Sequence, residues 1–161
     1  MPKKIILLLS GEICAGKTSL ANQLSSQYGF DHLRTRDLLE KLHKGENPRR
    51  VSLQQLGEKL DGENSGQWVV TELQKHEEGR FIDRGLLIVD AIRIEGQLQR
   101  FREAFGPAIV HVHLRCSPET LYERYRSKHG KARAEETIRA EYRKVKANQT
   151  EQNVASLADT A

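Results

Sequence analysis

LLLSGEICAGKTSLANQL, residues 7–24, decides the fold. An apolar run stops at Ser10, a glycine-bounded turn follows, and Lys17-Thr18 opens a segment that puts Leu20, Ala21 and Leu24 on one helical face. Inside it, GEICAGKT fits G-x-x-x-x-G-K-[ST] with Gly11, Gly16, Lys17 and Thr18 in register. The intervening residues give the backbone room to curl so that successive N–H groups point inward. Lys17 sets a cation against the outer phosphates of a bound triphosphate, and the Thr18 hydroxyl is placed to ligate Mg²⁺. The positive end of the following helix dipole adds to both. A buried strand directly before and an amphipathic helix directly after are the context that this mechanism requires. ATP with Mg²⁺ is therefore the expected ligand, on Gly11, Ala15, Gly16, Lys17, Thr18 and Ser19. Cys14 lies within the loop, either as a redox-sensitive thiol or as a small tolerated side chain. Glu12 is unhelpful beside phosphate unless its carboxylate points away.

Outward from the loop, apolar runs alternate with periodic segments. IILLLS (5–10) and GLLIVDAI (85–92) read as strands buried on both faces, and 30–35 and 108–116 as two more. Helices are expected over 17–28, 36–44, 51–61, 65–78, 95–105 and 119–147, the last interrupted near His129-Gly130. The pair 51–61 and 65–78 should break at Asp61-Gly62, with Trp68, Val69, Leu73 and the stem of Lys75 facing inward. Gly79 should stop the second of them, and 45–48 should form a turn. Ser117-Pro118 is a helix-start signal. The tail after Asn148 reads as polar. Strands alternating with helices give an α/β class with a parallel sheet. The expected architecture is a P-loop NTPase three-layer sandwich of four to five strands over one domain, 1–161. Ligands of such sheets bind at the carboxyl ends of the strands.

Composition narrows the function. Apolar residues make up 37% of the 161 residues, charged residues 30%, and the net charge is +4, which implies a thin core and a charged, helix-rich exterior. The mild basic excess suits phosphate-bearing ligands. With four tyrosines, four phenylalanines and one tryptophan, and no aromatic stripe among the basic residues, a nucleic-acid stacking platform is not expected. Two cysteines without C-x-x-C favour a reducing compartment and no structural zinc. MPKKIILLLS is too short in its apolar core for a signal peptide, and no run approaches membrane-spanning length, so a cytoplasmic protein is expected. The chain has neither an N/T-K-x-D guanine signature nor an apolar run ending in Asp-Glu, which leaves phosphoryl transfer to a small acceptor as the favoured reaction.

Three further stretches, HLRTRDLLEKL (32–42), LLIVDAIRIEGQL (86–98) and HVHLRCSPETLYERYRSK (111–128), follow the loop in the order seen in nucleoside monophosphate kinases. Over most of its length the chain resembles that family, which includes adenylate kinases and phage-type deoxynucleoside monophosphate kinases. The resemblance implies an acceptor-binding helical insertion at 35–80 that uses Thr35, Arg36 and Asp37, and a lid-like segment at 124–147. Arg93, just beyond the third strand, has the planar guanidinium that would hold an acceptor monophosphate by two parallel bonds; a structural ion pair is the competing reading. Gln97, one turn on, would read a base edge, and the resemblance implies a purine there; an ordinary exposed helix residue is the competing reading. Asp90, with Thr18, is the metal candidate, or orients the acceptor phosphate site, or else it caps the next loop. Arg124, Arg126, Lys128 and Arg133 are candidates to close over the transferring group, although the same stretch also reads as a solvated helix, so one or two of them are expected to serve.

The chain also departs from the adenylate kinase pattern. Glu40 stands where those enzymes carry an arginine, and Arg36 where they carry glycine, so Arg36 itself is expected to hold the acceptor phosphate. Asp-Ala-Ile-Arg is one residue shorter than the adenylate kinase version and closer to phage-type and phosphomevalonate kinase-like versions. Other acceptors, of dephospho-coenzyme A or phosphomevalonate type, stay open. The segment 147–161, with Glu151 as a ribose or Mg²⁺ contact, resembles one that precedes a final core strand. Similar modules stand in front of adenylosuccinate synthetase domains, which implies covalent continuation into a second enzyme and a non-catalytic nucleotide-binding role as a further alternative.

Overall fold

The computed structural model describes residues 4–43, 45, 49–76 and 85–161, with the backbone alone at 50, 51 and 76. The chain runs β1 (Ile5–Gly11), α1 (Lys17–Tyr28), β2 (Asp31–Arg34), α2 (Thr35–Leu42), α3 (Arg50–Asn64), α4 (Gln67–His76), β3 (Leu86–Asp90), α5 (Glu95–Phe105), β4 (Ile109–Leu114), α6 (Pro118–His129), α7 (Glu135–Lys146) and α8 (Gln149–Ser156). Short 3₁₀ turns cover Gly106–Ala108 and Leu157–Thr160. The expected Gly79 stop and most of the expected turn at 45–48 lie outside the described residues.

The four strands among the described residues are all parallel, in the order β2-β3-β1-β4. Their side chains alternate between two apolar layers. Ile6, Leu8, Leu87 and Val89 pack with Trp68, Val69 and Leu73 of α4 and with Leu98 and Phe101 of α5. Leu7, Leu9 and Ile88 pack with Ala21, Leu20 and Leu24 of α1 on the opposite face. Burial on both faces is why these strands are continuously apolar rather than alternating. The result is the expected three-layer sandwich. The chain leaves β1 for the outer strand β2 and returns through β3, so the order reverses beside β1. The loops after β1 and β3 therefore open side by side at one edge of the sheet. Register places Leu9 level with Asp90, and Ser10 level with His113.

Four local expectations are corrected. The break between α3 and α4 falls at Ser65-Gly66, not at Asp61-Gly62, and α3 runs on to Asn64. Gly66 sits at φ +80° with a Cβ position 2.5 Å from Gln97 Cγ, so this turn lies directly on the start of α5 and admits no side chain. Gly62 has open space around it and behaves as an ordinary helix residue. The Lys75 stem does not pack inward: the side chain is exposed and pairs with Glu72 one turn back. Thr35 starts α2 rather than ending β2. The segment after Asn148 is not a polar tail. It folds into α8 and a 3₁₀ turn that bury Thr150, Glu151, Val154 and Leu157. Asn148 caps α8 by accepting from the Thr150 N–H.

Candidate active site

The loop between β1 and α1 is held open from within. Gly11 lies at φ +140°, and a Cβ there would stand 2.6 Å from the Leu114 carbonyl oxygen of β4, so glycine is required for the strand to pass its neighbour. Gly16 caps α1 at φ +101°, and the helix starts at Lys17. The Lys17 ammonium folds back over the loop, donating to Gly11 O at 2.7 Å and Glu12 O at 2.8 Å. Burial pushes its pKa below the ordinary lysine value; the Glu151 carboxylate opposes that shift and Arg93 adds to it. The ammonium is thus a partly desolvated cation held on two carbonyl oxygens of the loop. The Glu12 carboxylate pairs with Lys146 at the end of α7. Cys14 and Cys116 form no disulfide.

At the end of β3, Asp90 Oδ2 accepts from Thr18 Oγ1 at 2.7 Å and stands 3.4 Å from His32 Nε2. Burial raises the Asp90 pKa, but His32, Thr18 and Lys17 together outweigh it, and the carboxyl titrates below its ordinary range. A charged carboxylate beside a hydroxyl gives two hard oxygen donors at the mouth of the loop. Magnesium takes such a set from the protein and completes its shell with phosphate oxygens and water. Thr18 and Asp90 therefore fit the ion, and among the described residues no cluster of three or more His, Cys, Asp or Glu side chains offers a richer site. His32 was not among the residues singled out from sequence. Only the pairing of β2 with β3 brings it to Asp90.

On the acceptor side the expected residues separate. Arg36 and Asp37 are exposed on α2, with Arg36 Nε 2.8 Å from Glu40 Oε1. An exposed pair of this kind is worth about 0–1 kcal/mol and gives way readily to a phosphate. Thr35 is buried; its hydroxyl accepts from the Ala91 N–H at 3.2 Å, fixing α2 to the end of β3. Arg93 is exposed at the same edge. Gln97, however, is 2% exposed and turned inward. Its Oε1 accepts from the Arg93 N–H at 2.9 Å and its Nε2 donates to Asp61 Oδ1 at 2.9 Å. The same Asp61 oxygen accepts from Trp68 Nε1 at 2.7 Å. With both amide ends engaged, Gln97 positions the Arg93 loop; it does not present a base-reading edge. Asp61 is the anchor of this network. Burial raises its pKa, against the Trp68 and Gln97 hydrogen bonds and the charge of Arg93.

Of the four lid candidates, one reaches the loop. Arg124 Nη1 donates to Cys14 O at 3.2 Å and Ala15 O at 3.3 Å, arching over the cradle. Arg126 and Arg133 face acids of α7 instead, Glu135 and Glu141 respectively, and Lys128 is exposed on α6. Glu151 comes to the loop from α8: its Oε2 accepts from the Ile13 N–H at 2.9 Å.

A strand, a glycine-bounded loop, a half-buried lysine and a hydroxyl–carboxylate pair at the sheet's reversal point define a P-loop nucleotide-binding protein of the phosphotransferase kind. Residues 7–145 match the AAA_18 family, described as an AAA domain, and the chain belongs to that family of P-loop NTPase-like kinases. Among solved structures, it is similar to a protein from Eubacterium ventriosum described as uncharacterized, at 14% identity and TM-score 0.53, over 88% of this chain and 73% of that one. It is also similar to a chain of the Pnkp1/Rnl/Hen1 RNA repair complex, at 15% identity and TM-score 0.54, over 96% of this chain but only 46% of that one. At these identities the likeness establishes the fold. No curated protein matches the chain. No described helix is long and apolar enough to cross a membrane.

Proposed function

We propose that the protein transfers the terminal phosphoryl group of ATP, bound with Mg²⁺, to a nucleoside or deoxynucleoside monophosphate. The observation that carries this reading is the convergence of Lys17, Arg124 and the Thr18–Asp90 pair on one loop, with Arg93 exposed at the adjoining strand end. Lys17 would leave its two carbonyl partners for the outer phosphates of the donor. Arg124, already over the loop, would turn its fork toward the charge that spreads over the transferring oxygens. Thr18 and Asp90 would hold the metal ion, which draws charge from the phosphates. Arg93, its loop fixed through Gln97, would hold the acceptor phosphate, joined by Arg36 once that residue leaves Glu40. Asp37, exposed beside Arg36 on α2, would be a further acceptor-side contact.

A second reading is favoured by one observation: the inward Gln97 leaves no assigned reader for an acceptor base. Under it the acceptor is another small phosphorylated metabolite, of dephospho-coenzyme A or phosphomevalonate type. A coupled assay over the common NMPs and dNMPs, with those two metabolites added, separates the readings. ADP release that depends on one mononucleotide, with its diphosphate formed, supports the first. Release only with a non-nucleotide acceptor supports the second. ATP binding without turnover on any acceptor refutes both and leaves a nucleotide-binding module. Lys17→Ala should weaken ATP about 100-fold, since charge-assisted bonds contribute about 1.5–3 kcal/mol each.

A further inference from the structure

Glu151 stands in an unusual place for an acid. It is 9% exposed, and its carboxylate accepts a hydrogen bond from Ile13, a main-chain donor of the phosphate loop itself. Its position is built. Asn148 caps the helix that carries it, and the adjacent Thr150 Oγ1 donates to Glu58 Oε1 of α3 at 2.9 Å. The other acid on the loop, Glu12, is neutralised by Lys146. Glu151 instead shares the cradle with Lys17. An incoming triphosphate therefore meets the cations Lys17 and Arg124 at the loop, with the carboxylate of Glu151 fixed on the loop backbone and that of Asp90 at its mouth.

We propose that Glu151 makes the donor site selective for the metal-bound triphosphate: its carboxylate, hydrogen-bonded to the phosphate loop, repels the metal-free polyanion and tolerates the Mg²⁺ complex. The inference rests on the donor-site reading above. Coulomb repulsion scales with the charge of the ligand, and a divalent cation cancels about half of the triphosphate's charge, so it removes about half of the repulsion. Selectivity of this kind needs no contact between Glu151 and the metal.

Glu151→Gln keeps the shape and an oxygen that accepts from the Ile13 N–H, and removes only the charge. Glu151→Asp keeps the charge and withdraws the oxygen from its hydrogen bond. ATP affinity is measured by calorimetry with excess EDTA and with excess Mg²⁺ at fixed pH and ionic strength, and circular dichroism checks the fold of each variant. Glu151→Gln should tighten metal-free ATP about tenfold and the Mg²⁺ complex about threefold, narrowing the preference about threefold, while Glu151→Asp keeps the wild-type preference. Equal effects on both forms, or weaker binding of both by Glu151→Gln, would overturn the proposal. So would a wild-type protein that binds metal-free ATP as tightly as the Mg²⁺ complex, a measurement that needs no variant. If the wild type binds neither form, the donor-site reading itself fails and this inference with it. Where the wild type binds, Lys17→Ala separates failure of the two: it should weaken both forms while leaving their ratio above unity, and an unchanged affinity would sink the donor-site reading whatever Glu151 does.

Discussion

Removal of the Asp61 carboxylate tests the acceptor side of the site where it is most tightly built. One oxygen of Asp61 accepts from the indole of Trp68 at 2.7 Å and the amide of Gln97 at 2.9 Å. Trp68 is 6% exposed and Gln97 2%. Asp61→Ala leaves two buried donors without a partner, and each such orphan costs about 1–3 kcal/mol. Asp61 is itself only partly buried, so water entering its place recovers part of that, and a net loss of about 2–3 kcal/mol is expected. Urea denaturation followed by fluorescence measures it directly, because Trp68 is the one tryptophan of the chain. Asp61→Asn keeps a carbonyl acceptor and should cost about 1 kcal/mol or less. The pH dependence separates the two further. The folded carboxyl titrates above its ordinary value, so the folded state binds the proton more readily than the unfolded one. Stability should therefore fall as pH rises through the window above the unfolded carboxylate pKa, and Asp61→Asn should remove that slope. In function, Asp61→Ala should raise KM for the acceptor through the Gln97–Arg93 linkage and leave ATP affinity unchanged, while Asp61→Asn should change KM little. An Asp61→Ala protein within 0.5 kcal/mol of wild type, about the error of a good measurement, would refute the assignment of Asp61 as anchor.

Three further outcomes follow from single contacts. Gly11→Ala must place a methyl group 2.6 Å from the Leu114 carbonyl oxygen at φ +140°, and it should cost about 2–5 kcal/mol by denaturant unfolding, from backbone strain and overpacking together. Arg124→Ala should lower kcat about 100-fold or more while ATP affinity changes little, and Arg124→Lys should not restore it, because only the planar fork spans the oxygens of the transferring group; equal losses for Arg124→Ala and Arg126→Ala would contradict the lid assignment. Ser10 is fully buried and lies 2.7 Å from both His111 Nε2 and His113 Nδ1. Burial depresses both imidazole pKa values, so the unfolded chain takes up protons first, and stability present above pH ~6.5 should be lost as pH falls through the depressed values. A melting temperature that stays flat between pH 7.5 and 5.5 would show that the pair does not titrate in the folded protein.

What was legible in the sequence is what short-range pattern encodes. The loop, its flanking strand and helix, and the alternation of strands with helices all follow from residues within a few positions of each other, and each stands in the structure. Arg93 and Asp90 were legible for the same reason: a strand's end fixes which side chains emerge beside the loop. The misreadings share a different cause. Gln97 has the spacing of an exposed reader one turn from Arg93, but Asp61, 36 residues earlier, claims its amide. Gly62 and Gly66 look alike in sequence, and only the crossing of Ser65-Gly66 over α5 puts the helix break at the second. Lys75 lost its inward stem to Glu72, a charge partner one turn away on an exposed face.

The segment beyond Asn148 is the most instructive case. Its buried positions, Thr150, Glu151, Val154 and Leu157, carry a helical spacing that was present in the sequence. Two of the four are polar, so the stripe does not register as apolar. Those two are buried because partners satisfy them: Glu58 accepts from Thr150, and the Ile13 N–H donates to Glu151, 138 residues away. Burial of a carboxylate is tolerated only when it is hydrogen-bonded or paired. Here its partners are the phosphate loop and the neighbouring lysine. A polar residue that breaks an otherwise helical apolar stripe is therefore itself a signal in a chain with a phosphate loop. It marks where a distant element must dock to satisfy that residue, and in this protein the docking point is the donor site.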